Sequence, residues 1–99
     1  MHVVSRKRLL EFAEIHADVA DQLDSWYRVA KLADWENLVD VRQTYPATDS
    51  VGNFTVFNIK GNDYRLITSI MYDTQRIYIK YVLTHSEYDK DKWKNDPYY

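Results

Sequence analysis

Residues 82–93, VLTHSEYDKDKW, leave an apolar run and then present His85, Glu87, Tyr88, Asp89 and Lys90 in close succession. An imidazole titrates at about pH 6.5 and can give or take a proton near neutrality. A phenol, with an ordinary pKa of about 10, can donate or orient. Upstream lie three cations spaced along alternating apolar stretches, Lys60, Arg65 and Lys80. Three uses of the histidine stretch are open from the residues alone. His85 and Asp89, four apart, form half of a metal site, but the chain offers no second compact ligand cluster. His85 and Tyr88 can be structural, closing the end of a sheet. Or they can perform acid–base chemistry on an anionic substrate held by the cations.

The elements that must position these groups follow from periodicity. FTVFNI (54–59), DYRLITSIMY (63–72) and QRIYIKYVLT (75–84) have the β-branched and aromatic content of strands. KGND and DTQ separate them at hairpin length, and Gly61-Asn62 reads as a tight turn in which both residues tolerate positive φ. HVVS (2–5) predicts a short edge strand. Ser5 is the expected N-cap of a helix carrying Leu9, Phe12, Ala13 and His16. Asp18 is the expected cap of a second helix with the stripe Val19, Leu23, Trp26, Ala30 and Ala33. A third, shorter helix ends before Pro46. Residues 46–53 read as loop, SEYDKDKW as one or two helical turns capped by Ser86, and NDPYY as a frayed end. Helices first and strands afterwards predict an α+β domain spanning 1–99, with N-terminal helices on one face of a small antiparallel sheet.

Strict alternation places Ile77, Ile79, Tyr81 and Leu83 on one face of the last strand and Tyr78, Lys80, Val82 and Thr84 on the other. Extended across the sheet, it gathers Lys60, Arg65 and Lys80 on one open face. Such a cluster is easiest to explain if an anion sits among the cations, though solvated lysines and arginines on a sheet are common. Asn58 either touches that ligand or bridges to the next strand.

Charge narrows the function classes. The 99 residues carry a net −2, which argues against a generic nucleic-acid binder. The first 50 residues sum to −3 and the remainder to +1, so any anion site belongs to the second half. There is no cysteine, hence no disulfide, thiolate metal site or cysteine nucleophile, which fits a cytoplasmic protein. The start, MHVVSRKRLLEF, has no signal-like apolar core, and no run approaches membrane-spanning length. The expectation is a soluble protein, neither exported nor membrane-bound.

VFNIKGNDYRLI (56–67) followed by YIKYVLTHSEYD (78–89) resembles the HigB-type toxins of bacterial toxin–antitoxin pairs, within the RelE superfamily. Lys80 stands where the family often has arginine. The resemblance implies a RelE-like fold and a ribosome-dependent mRNA interferase without metal or other cofactor. It also implies a HigA-like helix-turn-helix antitoxin as partner, with DNA reached only through that antitoxin. The reaction would be attack of a ribose 2′-OH on the adjacent phosphate. Arg65 would supply charge, with Lys80 and Lys60 assisting, and His85 and Tyr88 would handle protons. Lys60, Asn58, Asn62 and Glu87 are candidate RNA contacts, while Asp89 fixes the turn. The rival readings are a non-catalytic ribosome- or antitoxin-binding module of the same fold, and a structural domain meeting an acidic protein patch. His, Tyr and Arg together favour the enzyme, since a binder needs only cations.

Overall fold

The computed structural model describes residues 1–99. Strand β1 (His2–Val4) leads into α1 (Arg6–Ile15), α2 (Ala20–Leu32) and α3 (Leu38–Thr44). Four strands follow, β2 (Asp49–Val51), β3 (Phe54–Ile59), β4 (Tyr64–Met71) and β5 (Arg76–Thr84), and then the short helix α4 (His85–Asp89). The sheet order is β1-β5-β4-β3-β2, antiparallel except where the edge strand β1 runs parallel to β5. The architecture is α+β, with the helices packed on the sheet.

The helical stripe does what its spacing requires. Val19, Leu23, Trp26 and Ala30 are buried against Phe57, Ile59, Leu66, Ile77 and Ile79 of the sheet, joined by Leu9 from α1. Trp26 meets Phe57 edge-on at 5.3 Å. The expected caps are different. Ser5 sits in the left-handed region (φ 71) and makes no capping bond, turning the chain from β1 into α1. Asp18 lies in a 3-10 turn and caps nothing; its carboxylate accepts from Lys60 and Tyr64 instead. Ser86 does not cap α4, because Thr84 forms a capping box with Glu87. Residues 49–51, expected as loop, form β2 against β3.

A β-bulge breaks the alternation in β5. Ile67 pairs with Tyr81 but Thr68 with Ile79, so Lys80 is left over. An extra residue reverses side-chain parity beyond it. Val82 therefore packs with the helix-side core, while Tyr81 and Leu83 join the opposite face. Arg8 of α1 donates to the Lys80 carbonyl, the backbone group the bulge leaves without a strand partner.

The opposite face is not open. Trp93 is 4% exposed and packs with Phe54, Val56 and Ile67. Tyr99 meets Phe54 and Trp93 edge-on, and the Asn53 amide donates to its carbonyl. The chain end is therefore a packed strap and not a frayed tail. Trp93→Ala should cost about 3–5 kcal/mol, as for other buried tryptophans. A urea denaturation showing under 1 kcal/mol of loss would mean the strap is not part of the folded unit.

Candidate active site

The site is organised by the four-residue connection between β3 and β4. Lys60 and Gly61 both have positive φ (53 and 65), whereas Asn62, expected to share that conformation with Gly61, does not. The left-handed backbone at Lys60 swings its side chain off the strand's alternation. Its ammonium meets Asp18 at 2.9 Å, and the Tyr64 hydroxyl donates to the same carboxylate at 2.8 Å. Those two bonds push the Asp18 carboxyl below its ordinary range. Lys60 is thus part of a hairpin-to-helix tie and does not stand beside Arg65.

The turn's carbonyls face the other way. The Asn62 carbonyl accepts from Arg65 Nη1 at 3.0 Å and lies 2.9 Å from His85 Nδ1. The Asp63 carbonyl accepts the backbone N–H of His85 at 2.9 Å, which anchors the start of α4 to the hairpin. An imidazole nitrogen this close to a carbonyl oxygen must carry the proton. The 3.3 Å approach of Arg65 Nη2 to Nδ1 is then two donors gathered on one acceptor. On the far side of the ring, Nε2 lies 3.1 Å from Asp89, the i, i+4 pair expected from the sequence. No third His, Cys, Asp or Glu joins the pair in a metal-ligating cluster.

Arg65 is only 9% exposed, and no carboxylate pairs with it. Its donors go to the carbonyls of Asn62 and Tyr64 and, at 3.4 Å, to Asn62 Oδ1. Its carbon lies 5.3 Å from the centre of the Tyr88 ring. Tyr88 in turn stacks on Trp93 at 5.1 Å and 14°. Burial pushes the Tyr88 phenol above its ordinary value, helped by Asp49 and opposed by Arg65, so it holds its proton at neutral pH. Glu87 is occupied by the capping box. The Thr84 N–H on its carboxylate pulls its pKa down, and one carboxylate oxygen is committed to that cap.

Arg65 and Tyr88 line a cleft of about 370 Å³ with Asn58, Arg42 and the loop Pro46–Asp49. His85 does not line the cleft; it stands behind Arg65, 3.3 Å from its Nη2, with a side chain 48% exposed. Lys80 is absent from the cleft. The bulge carries it beneath the strap, where Asp96 meets its ammonium at 3.4 Å and Tyr98 lies over it. Of the candidates, Arg65, His85, Tyr88, Asn58 and Asn62 come together; Lys60, Lys80 and Glu87 do not. Arg42 and Thr48 were missed by sequence reading. Pro46 ends the helix and folds the loop back, and nothing in VRQTYPAT announces that.

The chain's residues 19–91 match the family HigB_toxin, described as the RelE-like toxic component of a toxin–antitoxin system. The chain belongs to the HigB toxin family. A relative named mRNA interferase HigB, from Escherichia coli O6:H1 (strain CFT073), is 31% identical over 91% of this chain and 90% of its own length. The mRNA interferase toxin HigB of E. coli K12 is 26% identical over 90% of this chain and 88% of its own. A HigB of the same description in Shigella flexneri matches to the same extent. No helix of this HigB-family chain is long and apolar enough to cross a membrane.

The strap's lock on Lys80 gives a pH prediction. The Tyr81 hydroxyl, the Tyr98 N–H and Lys80 together hold the Asp96 carboxyl below its ordinary value. A carboxylate with a lower pKa folded than unfolded stabilises at neutral pH and loses that contribution as pH falls from about 4 through the folded value. Asp96→Asn should therefore be less stable than wild type at pH 7, and the gap should close in acid. Urea midpoints across pH 2–7 that keep a constant gap would show that the ionised carboxylate does not hold the strap.

Proposed function

We propose that this HigB-family chain is a ribosome-dependent mRNA endoribonuclease that arrests translation. A HigA-like antitoxin would neutralise it, and DNA would be contacted only through that antitoxin. The observation that carries the chemistry is Arg65. A nearly buried guanidinium with carbonyls for partners and no counter-ion is costly to hold. A phosphate in the adjacent cleft would supply the missing charge. The named relatives, which are mRNA interferases, support a phosphodiester substrate.

In this mechanism a ribose 2′-oxygen attacks the adjacent phosphorus. The P–O5′ bond breaks, leaving a 2′,3′-cyclic phosphate and a 5′-hydroxyl. Arg65 stabilises charge on the non-bridging oxygens as the phosphorane forms. The imidazolium of His85, fixed by Asn62 through Nδ1, delivers the Nε2 proton to the departing O5′. The 2′-hydroxyl gives its proton to water. Tyr88, which keeps its own proton, serves as a donor and a platform and not as the base. Lys80 and Lys60, both engaged in ion pairs, contribute no direct contact in this arrangement.

His85→Ala should lower cleavage by about 10²–10⁴ and Arg65→Ala by about 10²–10³. Arg65→Lys should rescue poorly, because an ammonium cannot reproduce the guanidinium fork. Primer extension on a translated reporter after induction reads the effect, with circular dichroism to confirm folding. Folded variants that cut as wild type would refute the assignment. Slowed synthesis over intact message from the wild type would favour the non-catalytic binder.

A further inference from the structure

We propose that Asp18 is a positioning residue for the cleavage reaction: from the helical layer, its carboxylate clamps both ends of the β3–β4 turn whose carbonyls hold Arg65 and His85. The proposal rests on the mRNA-cleavage reading and adds to it a residue that lies outside the cleft.

Asp18 is itself well anchored. It lies in the 3-10 turn Ala17–Val19 between α1 and α2, and its neighbour Val19 is fully buried. Ile59 pairs with Tyr64, so residues 60–63 form the turn, with Lys60 at its start and Tyr64 just past its end. Both reach the same carboxylate. Lys60 Nζ donates to Oδ2 at 2.9 Å, and the Tyr64 hydroxyl lies 2.8 and 3.0 Å from the two oxygens. The Tyr64 ring is wedged edge-on against Phe12 and His16, at 5.7 Å from each. On the other side of the turn, the Asn62 carbonyl holds Arg65 Nη1 and His85 Nδ1, and the Asp63 carbonyl holds the His85 N–H. Asp18 and the reacting groups therefore grip one short segment from opposite sides.

That segment needs an external hold. Left-handed backbone is uncommon for a residue with a Cβ, yet Lys60 adopts it (φ 53) beside Gly61. Nothing lies within 4 Å of where a Cβ on Gly61 would stand, so no packing supports the tip. The strand ladder stops at Ile59 and Tyr64, and one bond crosses the turn, from the Asp63 N–H to the Lys60 carbonyl at 3.2 Å. The Lys60 side chain is tied to Asp18 alone. Hydrogen bonding pushes Asp18 below its ordinary pKa and pushes Lys60 and Tyr64 above theirs. The clamp thus keeps its charges throughout the range in which an imidazole titrates. Its reach to the chemistry is short, and displacement of a reacting group by about 1 Å can cost about a hundredfold in rate.

The test compares wild type with Asp18→Ala, Lys60→Met and Tyr64→Phe. The ion pair is partly exposed, so its loss should leave the protein folded by circular dichroism, and Tyr64→Phe keeps the packed ring. Amide exchange followed by NMR reads the clamp without cleavage. The Asp63 and His85 N–H groups should exchange several-fold faster in Asp18→Ala, while those in the middle of β4 keep wild-type protection. On ribosomes carrying a message, the single-turnover cutting rate should fall about tenfold to a hundredfold in Asp18→Ala and less in the other two. The protein concentration giving half-maximal rate should not change. In a His85→Ala background Asp18→Ala should cost less, because one of the groups it positions is gone. Equal costs in the two backgrounds would overturn the proposal, as would unchanged exchange at His85. A raised half-maximal concentration with an unchanged rate would also overturn it, by making Lys60 or Asp18 a ribosome contact. If the wild type leaves message intact the cleavage reading fails, and the exchange result then supports or rejects the clamp by itself.

Discussion

One backbone carbonyl, that of Asn62, gathers the groups on which the proposed chemistry rests. Two donors of potential positive charge, the Arg65 guanidinium and the His85 imidazole, converge on it from β4 and from the start of α4. Neither would choose the other as a neighbour. A neutral carbonyl held rigidly in a hairpin can serve both without cancelling either charge, as a carboxylate would. Left-handed backbone at Lys60 and Gly61 aims that carbonyl, and the Asp63 carbonyl pins the His85 backbone beside it. Asp89 meets His85 on its far side, so the charge left without a carboxylate is that of Arg65. Under the proposed function a phosphate would supply the missing negative charge.

The second face of the sheet shows how packing and function are joined. Tyr88 stands between the cleft and the aromatic cluster of Trp93, Phe54 and Tyr99, so the strap that completes that cluster also holds Tyr88 in place. The same strap occupies Lys80 through Asp96. Overall acidity is no obstacle to an anion site under this arrangement. Acidic side chains such as Asp18 and Asp96 neutralise the outlying lysines, and the cleft keeps its arginines.

Much of this was legible in the residues. The stripe in α2, the three long strands and the pairing of His85 with Asp89 follow from spacing alone. The resemblance of VFNI-GN-YRL and THSEYD to the HigB toxins pointed to the right family. What failed was local. Alternation cannot anticipate the bulge at Lys80, which moves Tyr81, Val82 and Leu83 across the sheet, nor the positive φ that redirects Lys60. Asp18 and Ser86 have the chemistry of caps, but tertiary bonds or a better-placed neighbour displaced them, and Ser5 holds the N-cap position in left-handed backbone without a side-chain bond. Arg42 and Thr48 were invisible because their importance comes from a loop folding back, which no periodicity encodes. The terminal NDPYY looked polar and short, and only Trp93 with Tyr99 shows why it docks.

Asn62 holds His85 through a protonated Nδ1 beside an Arg65 that has no carboxylate partner. A ¹⁵N–¹H correlation spectrum of the His85 imidazole at neutral pH tests it most directly. Nδ1 should be protonated and hydrogen-bonded, and should stay protonated in Arg65→Ala. A bare Nδ1, accepting from the guanidinium in wild type, would contradict it.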